Sequence, residues 1–197
     1  MDTINKFKYN DLKRKAQIYH CNIFLFISEF EDENIFNFII KEFGDNFLLK
    51  NFGGNINGKD LYGRAPIHYL VKAFNLMKFW IYNYKPDINV KSVEGSNAAF
   101  GAAEIGNNIV LKFLIKHKCD LHLKNKLGQN IIRRVVDFHY PSLGKNLLNT
   151  IKILLDNNVN PFEKDIYNKS AYDISLEDKK LDIIDLLNKQ TSNIIKI

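Results

Sequence analysis

This 197-residue sequence is poor in cysteine and in arginine, with two of the first and four of the second. Two thiols cannot staple a chain of this length, which excludes a disulfide scaffold and points to a reducing compartment. Four Arg against 24 Lys supply little bidentate phosphate recognition, because that geometry belongs to the guanidinium group. Long apolar runs are missing too. None nears the roughly 18–20 residues that a membrane helix needs. The best, Ile23–Ile27, is bounded by Asn22 and Ser28. Lys13-Arg14-Lys15 precedes it as the basic segment of a signal peptide would. His20, Asn22 and Glu29 spoil that reading, and no small-residue cleavage site follows. The expectation is a cytoplasmic protein with no membrane partner. Delivery into a host cell by a machine that needs no such peptide stays open.

Catalytic motifs are also lacking. Gly53-Gly54 and Gly58 have no Lys-Ser or Lys-Thr where a phosphate loop needs it. There is no nucleophile elbow and no Gly-x-Gly-x-x-Gly. Cys21 lies in an apolar stretch and reads as a packing residue. His117-x-Cys119-x-x-His122 carries metal-ligand residue types, but its spacing matches no standard zinc pair. Asn168-Lys-Ser170 is a glycosylation sequon, without meaning in a cytoplasmic chain. The expectation is no enzyme, no cofactor and no metal.

What is present is a globular composition: 46% hydrophobic, 25% charged, 13% aromatic, enough to bury a core. Asn and Ile, at 25 each, join Lys as the commonest residues, the mark of an AT-rich genome. The sequence also repeats. Asp60-Leu-Tyr-Gly63-Arg-Ala-Pro66-Ile67-His68 parallels Asp165-Ile-Tyr-Asn168-Lys-Ser-Ala171-Tyr172-Asp173. Between them lie Ser92-Val-Glu-Gly95-Ser-Asn-Ala98-Ala99 and Asn125-Lys-Leu-Gly128-Gln-Asn-Ile131-Ile132. The turn residues Gly63, Gly95, Gly128 and Asn168 are 32, 33 and 40 residues apart. Two helical patterns follow each turn, the second carrying residues such as Ile109, Val110, Phe113 and Leu114 at helical spacing. Each unit closes on a tripeptide: Asn55-Ile-Asn57, Asp87-Ile-Asn89, Asp120-Leu-His122 and the degenerate Val159-Asn160-Pro161.

This pattern resembles the ankyrin repeat family, whose units place Asp and Gly at a turn and open an inner helix with Thr-Pro-Leu-His. Ala65-Pro66-Ile67-His68 fills that signature here. The resemblance implies an all-α fold: an ankyrin-repeat solenoid of stacked helix-turn-helix units with short hairpin turns. Residues 1–28 would cap residues 29–197. The repeats would be approximately 29–59, 60–91, 92–124, 125–164 and 165–197. It also implies a structural hydrogen bond for His68. The departures are bulky pairs such as Leu70-Val71, Ile39-Ile40 and Val135-Val136 in an Ala-Ala slot. The His slot holds Asn37, Phe100, Arg133 and Asp173, which predicts patchy bonding between units. About seven extra residues fall within Phe138–Asn146, where Pro141 and Gly144 are expected to break helix.

By this resemblance the protein is a non-enzymatic protein–protein interaction module, monomeric unless bound. It would dock one macromolecular partner on a concave face of hairpin tips and inner-helix ends. The tips are Leu61 and Tyr62, Val93 and Glu94, Lys126 and Leu127, and Ile166 and Tyr167, each with an apolar residue the stack does not need. Phe138 and Tyr140 of the insertion join them as candidate contacts. The layout suits a host-directed effector or inhibitor from an AT-rich intracellular microbe or virus. One version is a degron-less viral mimic of ankyrin inhibitors of host transcription factors. The alternative is a housekeeping assembly factor or regulatory subunit. Lys112 to Lys152 holds nine Lys or Arg against two Asp, which allows an acidic partner. Nucleic acid is disfavoured, since aromatics do not interleave with that run.

Overall fold

In the computed structural model, which describes residues 56–137 and 144–194, the backbone turns left-handed where the repeat has its glycines. Gly63, Gly95, Gly128 and Asn168 have φ of 68°, 83°, 70° and 58°. A second left-handed series, Lys85, Lys118 and Asn158, ends three longer helices and keeps the steps of 33 and 40. The first repeat and the 1–28 segment, with Cys21, lie almost wholly outside the described residues. Contacts divide the chain into two units, Met1–Ser92 and Val93–Ile197.

In the first unit, α1 (Pro66–Tyr69) runs directly into a 3-10 turn, Leu70–Lys72, and α2 (Phe74–Tyr84) follows at once. Pro66 opens α1, where its missing N–H is no loss. The step from Ala65 to Asn97, the residues before successive inner helices, is one short of the next. The missing residue is the turn that the second unit makes with Gly106, at φ 67°. The tighter winding, with a rise of about 2.0 Å per residue, spans the gap. Ile67, Leu70, Leu76, Met77 and Trp80 are buried, and Trp80 packs on Tyr84 with ring centroids 4.7 Å apart. The ends of this segment are tied: Asn57 Oδ1 accepts from the Asp87 amide at 2.9 Å, and Lys59 Nζ donates to Lys91 O at 2.9 Å.

The second unit contains three helix pairs: α3 (Ala98–Glu104) with α4 (Asn108–Lys116), α5 (Ile131–Asp137) with α6 (Gly144–Asp156), and α7 (Ala171–Glu177) with α8 (Leu181–Ile194). The inner helices α3, α5 and α7 pack in that order as one layer, and α4, α6 and α8 pack as the other. The described residues contain these eight α-helices and no strand, so the fold is all-α. Ala98, Ala99, Ala102 and Ala103 are fully buried, and their small side chains let α3 approach α4 and α5 closely. Leu111, Leu114, Ile131, Ile132, Ile151, Leu154 and Leu187 fill the space between the layers. Full burial of each such side chain is worth about 1.5–3 kcal/mol. No described helix is long and apolar enough to cross a membrane.

Two local expectations are corrected. Gly144 does not break a helix; it begins α6. Glycine's cost in a helix is backbone entropy and is felt in the interior, so the first position tolerates it. At the 40-residue step Asn108, the first residue of α4, corresponds to Leu148. Gly144–Leu147 is therefore an added helical turn, and Asn108 Nδ2 donates to Asn146 O at 3.4 Å. The closing motif also shifts by one residue. Asp87 Oδ1 and Asp120 Oδ1 each accept from the amide two residues on, at 2.9 and 2.8 Å. In the next repeat Asn160 does so, to Phe162 at 2.9 Å, so the tripeptide is Asn160-Pro161-Phe162.

Candidate docking surface at the hairpin tips

Three of the four tips are shaped from within by one side chain. Asp60 Oδ1 accepts from the amides of Tyr62 and Arg64 at 2.9 and 2.8 Å. Asn125 Oδ1 does the same for Leu127 and Gln129, both at 3.0 Å. Asp165 Oδ1 does it for Tyr167 and Lys169, at 2.9 and 3.0 Å. A short carboxylate or amide can satisfy two turn amides in this way, so the following side chains project outward. In the second unit the tips are then tied to one another. The Lys126 amide donates to Glu94 O at 2.8 Å, and the Ile166 amide to Leu127 O at 3.0 Å. A Cβ on Gly95 would lie 3.3 Å from Asn125 Cα, and one on Gly128 would lie 3.1 Å from the Ile166 amide. Only glycine suits both this closeness and the left-handed φ.

The side chains on this frame are exposed. In the second unit Ile166 is 61% and Tyr167 65% accessible, Val93 45% and Leu127 36%. Glu94 and Lys126 are exposed beside them. In the first unit Leu61 is 97% and Tyr62 66% accessible. Tyr62 is nonetheless held. The Arg64 guanidinium lies 4.7 Å from its ring centroid and 4.6 Å from that of Tyr69. Tyr69 Oη and Arg64 Nε both donate to Asp60. Burial pushes the Asp60 carboxyl up, but these hydrogen bonds and the Arg64 charge outweigh it and lower its pKa overall. Phe138 and Tyr140 lie outside the described residues.

The residues that open the inner helices do more than cap. Asn97 Oδ1 accepts from the Ala99 amide at 3.1 Å, while its Nδ2 donates to Asp120 O at 2.8 Å and Cys119 Sγ at 3.3 Å. Asn130 Oδ1 accepts from the Arg133 amide at 2.9 Å, and its Nδ2 donates to Asn160 O at 2.6 Å and Glu163 at 3.1 Å. Arg133, in the slot where poor bonding was expected, reaches into the next repeat. Its guanidinium stands 3.0 Å from Asp165, whose carboxylate is wholly buried. The contact is one of charge: among the described residues Asp165 Oδ2 and Arg133 Nε and Nη1 find no hydrogen-bond partner, so hydrogen bonding through this slot stays patchy. His68 accepts from the Ala65 amide at 3.0 Å, a local bond.

The basic run along the sequence is divided in space. Lys124 pairs with Glu163 at 2.8 Å, Arg134 with Glu104 at 2.7 Å, and Arg133 with Asp165, all carboxylates from outside the run. Lys152 lines a groove of about 300 Å³ between α6 and α8, with Asp182, Asp185 and Lys189. Cys119 is buried, and the His117 ring packs on Phe113 at 4.5 Å. No group of three His, Cys, Asp or Glu converges as a metal site among the described residues. No protein-family model matches the chain, and no curated protein matches it.

Proposed function

We propose that the chain is a stack of ankyrin-like repeats acting as a non-enzymatic, cytoplasmic protein-binding module. A macromolecular partner docks on its hairpin tips. The 32-, 33- and 40-residue periodicity of left-handed turn residues supports the family reading, as does the ordered packing of inner and outer helices in the second unit. The observation that carries the docking face is the exposure of Leu127, Ile166 and Tyr167 on tips whose backbones are already bonded to one another. These side chains contribute little to the stack, and large rigid apolar groups on a fixed frame lose little entropy on binding.

Changing Leu127, Ile166 and Tyr167 together to Ser tests this reading. Helicity should persist, and affinity for a partner captured from extracts of the source or host cell should fall at least tenfold, about 1.4 kcal/mol. The matched control changes Lys112, Lys116 and Lys152 to Ser on the outer helices. If the Lys set abolishes capture and the tip set does not, the docking face is misplaced.

A further inference from the structure

We infer that the partner segment bound at the second unit's tips is uncharged and anchored by aliphatic or aromatic side chains. This rests on the docking-face reading above and names the chemistry of what docks there. The argument is one of charge. The hairpins and inner helices of this unit carry many ionic side chains, yet they answer one another. Lys124 meets Glu163, Arg134 meets Glu104, and Arg133 lies between Asp137 at 3.2 Å and Asp165 at 3.0 Å. Lys164 meets Asp173 and Lys169 meets Glu177. Glu94 and Lys126 add one charge of each sign on adjoining, backbone-bonded tips. The face thus holds eight carboxylates against six Lys or Arg. The two in excess are Asp165, whose side chain is wholly buried, and Asp120, whose Oδ1 accepts from the His122 amide, so neither is a free exposed charge for a ligand to complement.

A charged segment would have to break these pairs or bring its own counter-charge near them. An apolar segment covers Leu127, Ile166 and Tyr167 and leaves the pairs at the rim, where water still reaches them. Electrostatic steering is then absent, and binding is insensitive to salt.

The probe is a displayed library of random peptides, selected against the folded full chain and, in parallel, against the Leu127→Ser/Ile166→Ser/Tyr167→Ser variant. A Tyr167→Ser single variant serves if the triple variant loses helicity. Wild-type protein should enrich peptides with two or more apolar anchors and no consistent charge. Their affinity should change less than twofold between low and high salt and fall at least tenfold on the variant. Tip-dependent peptides that carry consistent acidic or basic residues and weaken tenfold in salt overturn this inference and leave the docking face standing. Peptides bound equally by wild type and variant, or no enrichment over the variant, overturn both.

Discussion

Asn130 and Ser170 occupy the same place in consecutive repeats, forty residues apart, and treat their neighbours differently. Both cap an inner helix. Asn130 has atoms left over, and they reach forward to Asn160 O and Glu163. Ser170 is one atom shorter and turns back on its own helix. Its Oγ accepts from the Asp173 amide at 3.1 Å, and the Asp173 carboxylate accepts from the Ser170 amide at 2.7 Å. Three residues on, the contrast repeats. Arg133 is buried and spans to Asp165 in the next repeat, while Asp173 pairs with Lys164 nearby. A side chain's reach decides whether a helix is bolted onward or closed on itself.

The largest test breaks the forward bolt. Asp165→Asn keeps the oxygen that shapes the tip but removes the charge facing Arg133. Stripping one partner from a buried ion pair should cost about 3–5 kcal/mol. Urea unfolding followed by far-ultraviolet circular dichroism measures it. The double change Arg133→Met/Asp165→Asn should cost clearly less than the two single changes summed; strict additivity would show that the pair does not couple.

Turn strain comes next. Gly128→Val places a branched side chain at φ 70° with its Cβ against the Ile166 amide, so about 2 kcal/mol should be lost. Asn168→Gly, at the matching position of the last repeat, should change stability by only a few tenths of a kcal/mol. Equal melting points for the two variants would refute the shared register.

The caps themselves separate by a smaller margin. Ser170→Ala should cost about 1 kcal/mol, the ordinary value of a helix cap. Asn130→Ala should cost about twice that, because Asn160 O also loses its donor. Asn130→Ser should fall between the two, restoring the cap but not the reach.

The smallest effect is on pH. The Lys164 ammonium and the Ser170 hydroxyl and amide hold the Asp173 carboxyl well below its ordinary range. For Glu163 burial pushes the carboxyl up, but hydrogen bonds from Lys124 and Asn130 outweigh it and lower the pKa. A lowered folded-state value means that the unfolded chain binds protons first as pH falls. The contribution is whole above the unfolded value of about 4 and is lost below it, through the lowered folded value. Melting points should therefore drop between pH 5 and pH 2. Asp173→Asn should flatten that slope slightly, since the group is exposed enough for water to screen it.

The turns were the most legible part of this chain. Gly63, Gly95, Gly128 and Asn168 announce a left-handed backbone because few other residues tolerate one. Lys85, Lys118 and Lys179 adopt the same conformation with no such signal in residue type. The forward ion pair was hidden differently. Arg133 in a His slot reads as decay of the pattern, and only the folded distance to Asp165 shows that a buried charge contact stands there. Gly144 misled because a glycine that ends a helix and one that starts a helix look alike in sequence. The tips could be read from residue type, since nothing inside a stack needs Tyr167. How far each stands out could not, because Leu127 is more covered than its neighbour Ile166.

Because the frame of each tip is set by Asn125 or Asp165 and by bonds between main chains, the identities at 127, 166 and 167 are decoupled from the frame that displays them. Substitutions at Ile166 and Tyr167, which stand largely in water, exact a smaller toll on folding than those at the more covered Leu127. Under the proposed docking role, a lineage carrying this protein can retune its target by drift at a few positions, and a laboratory can randomise the same positions into a repertoire while the scaffold stays constant.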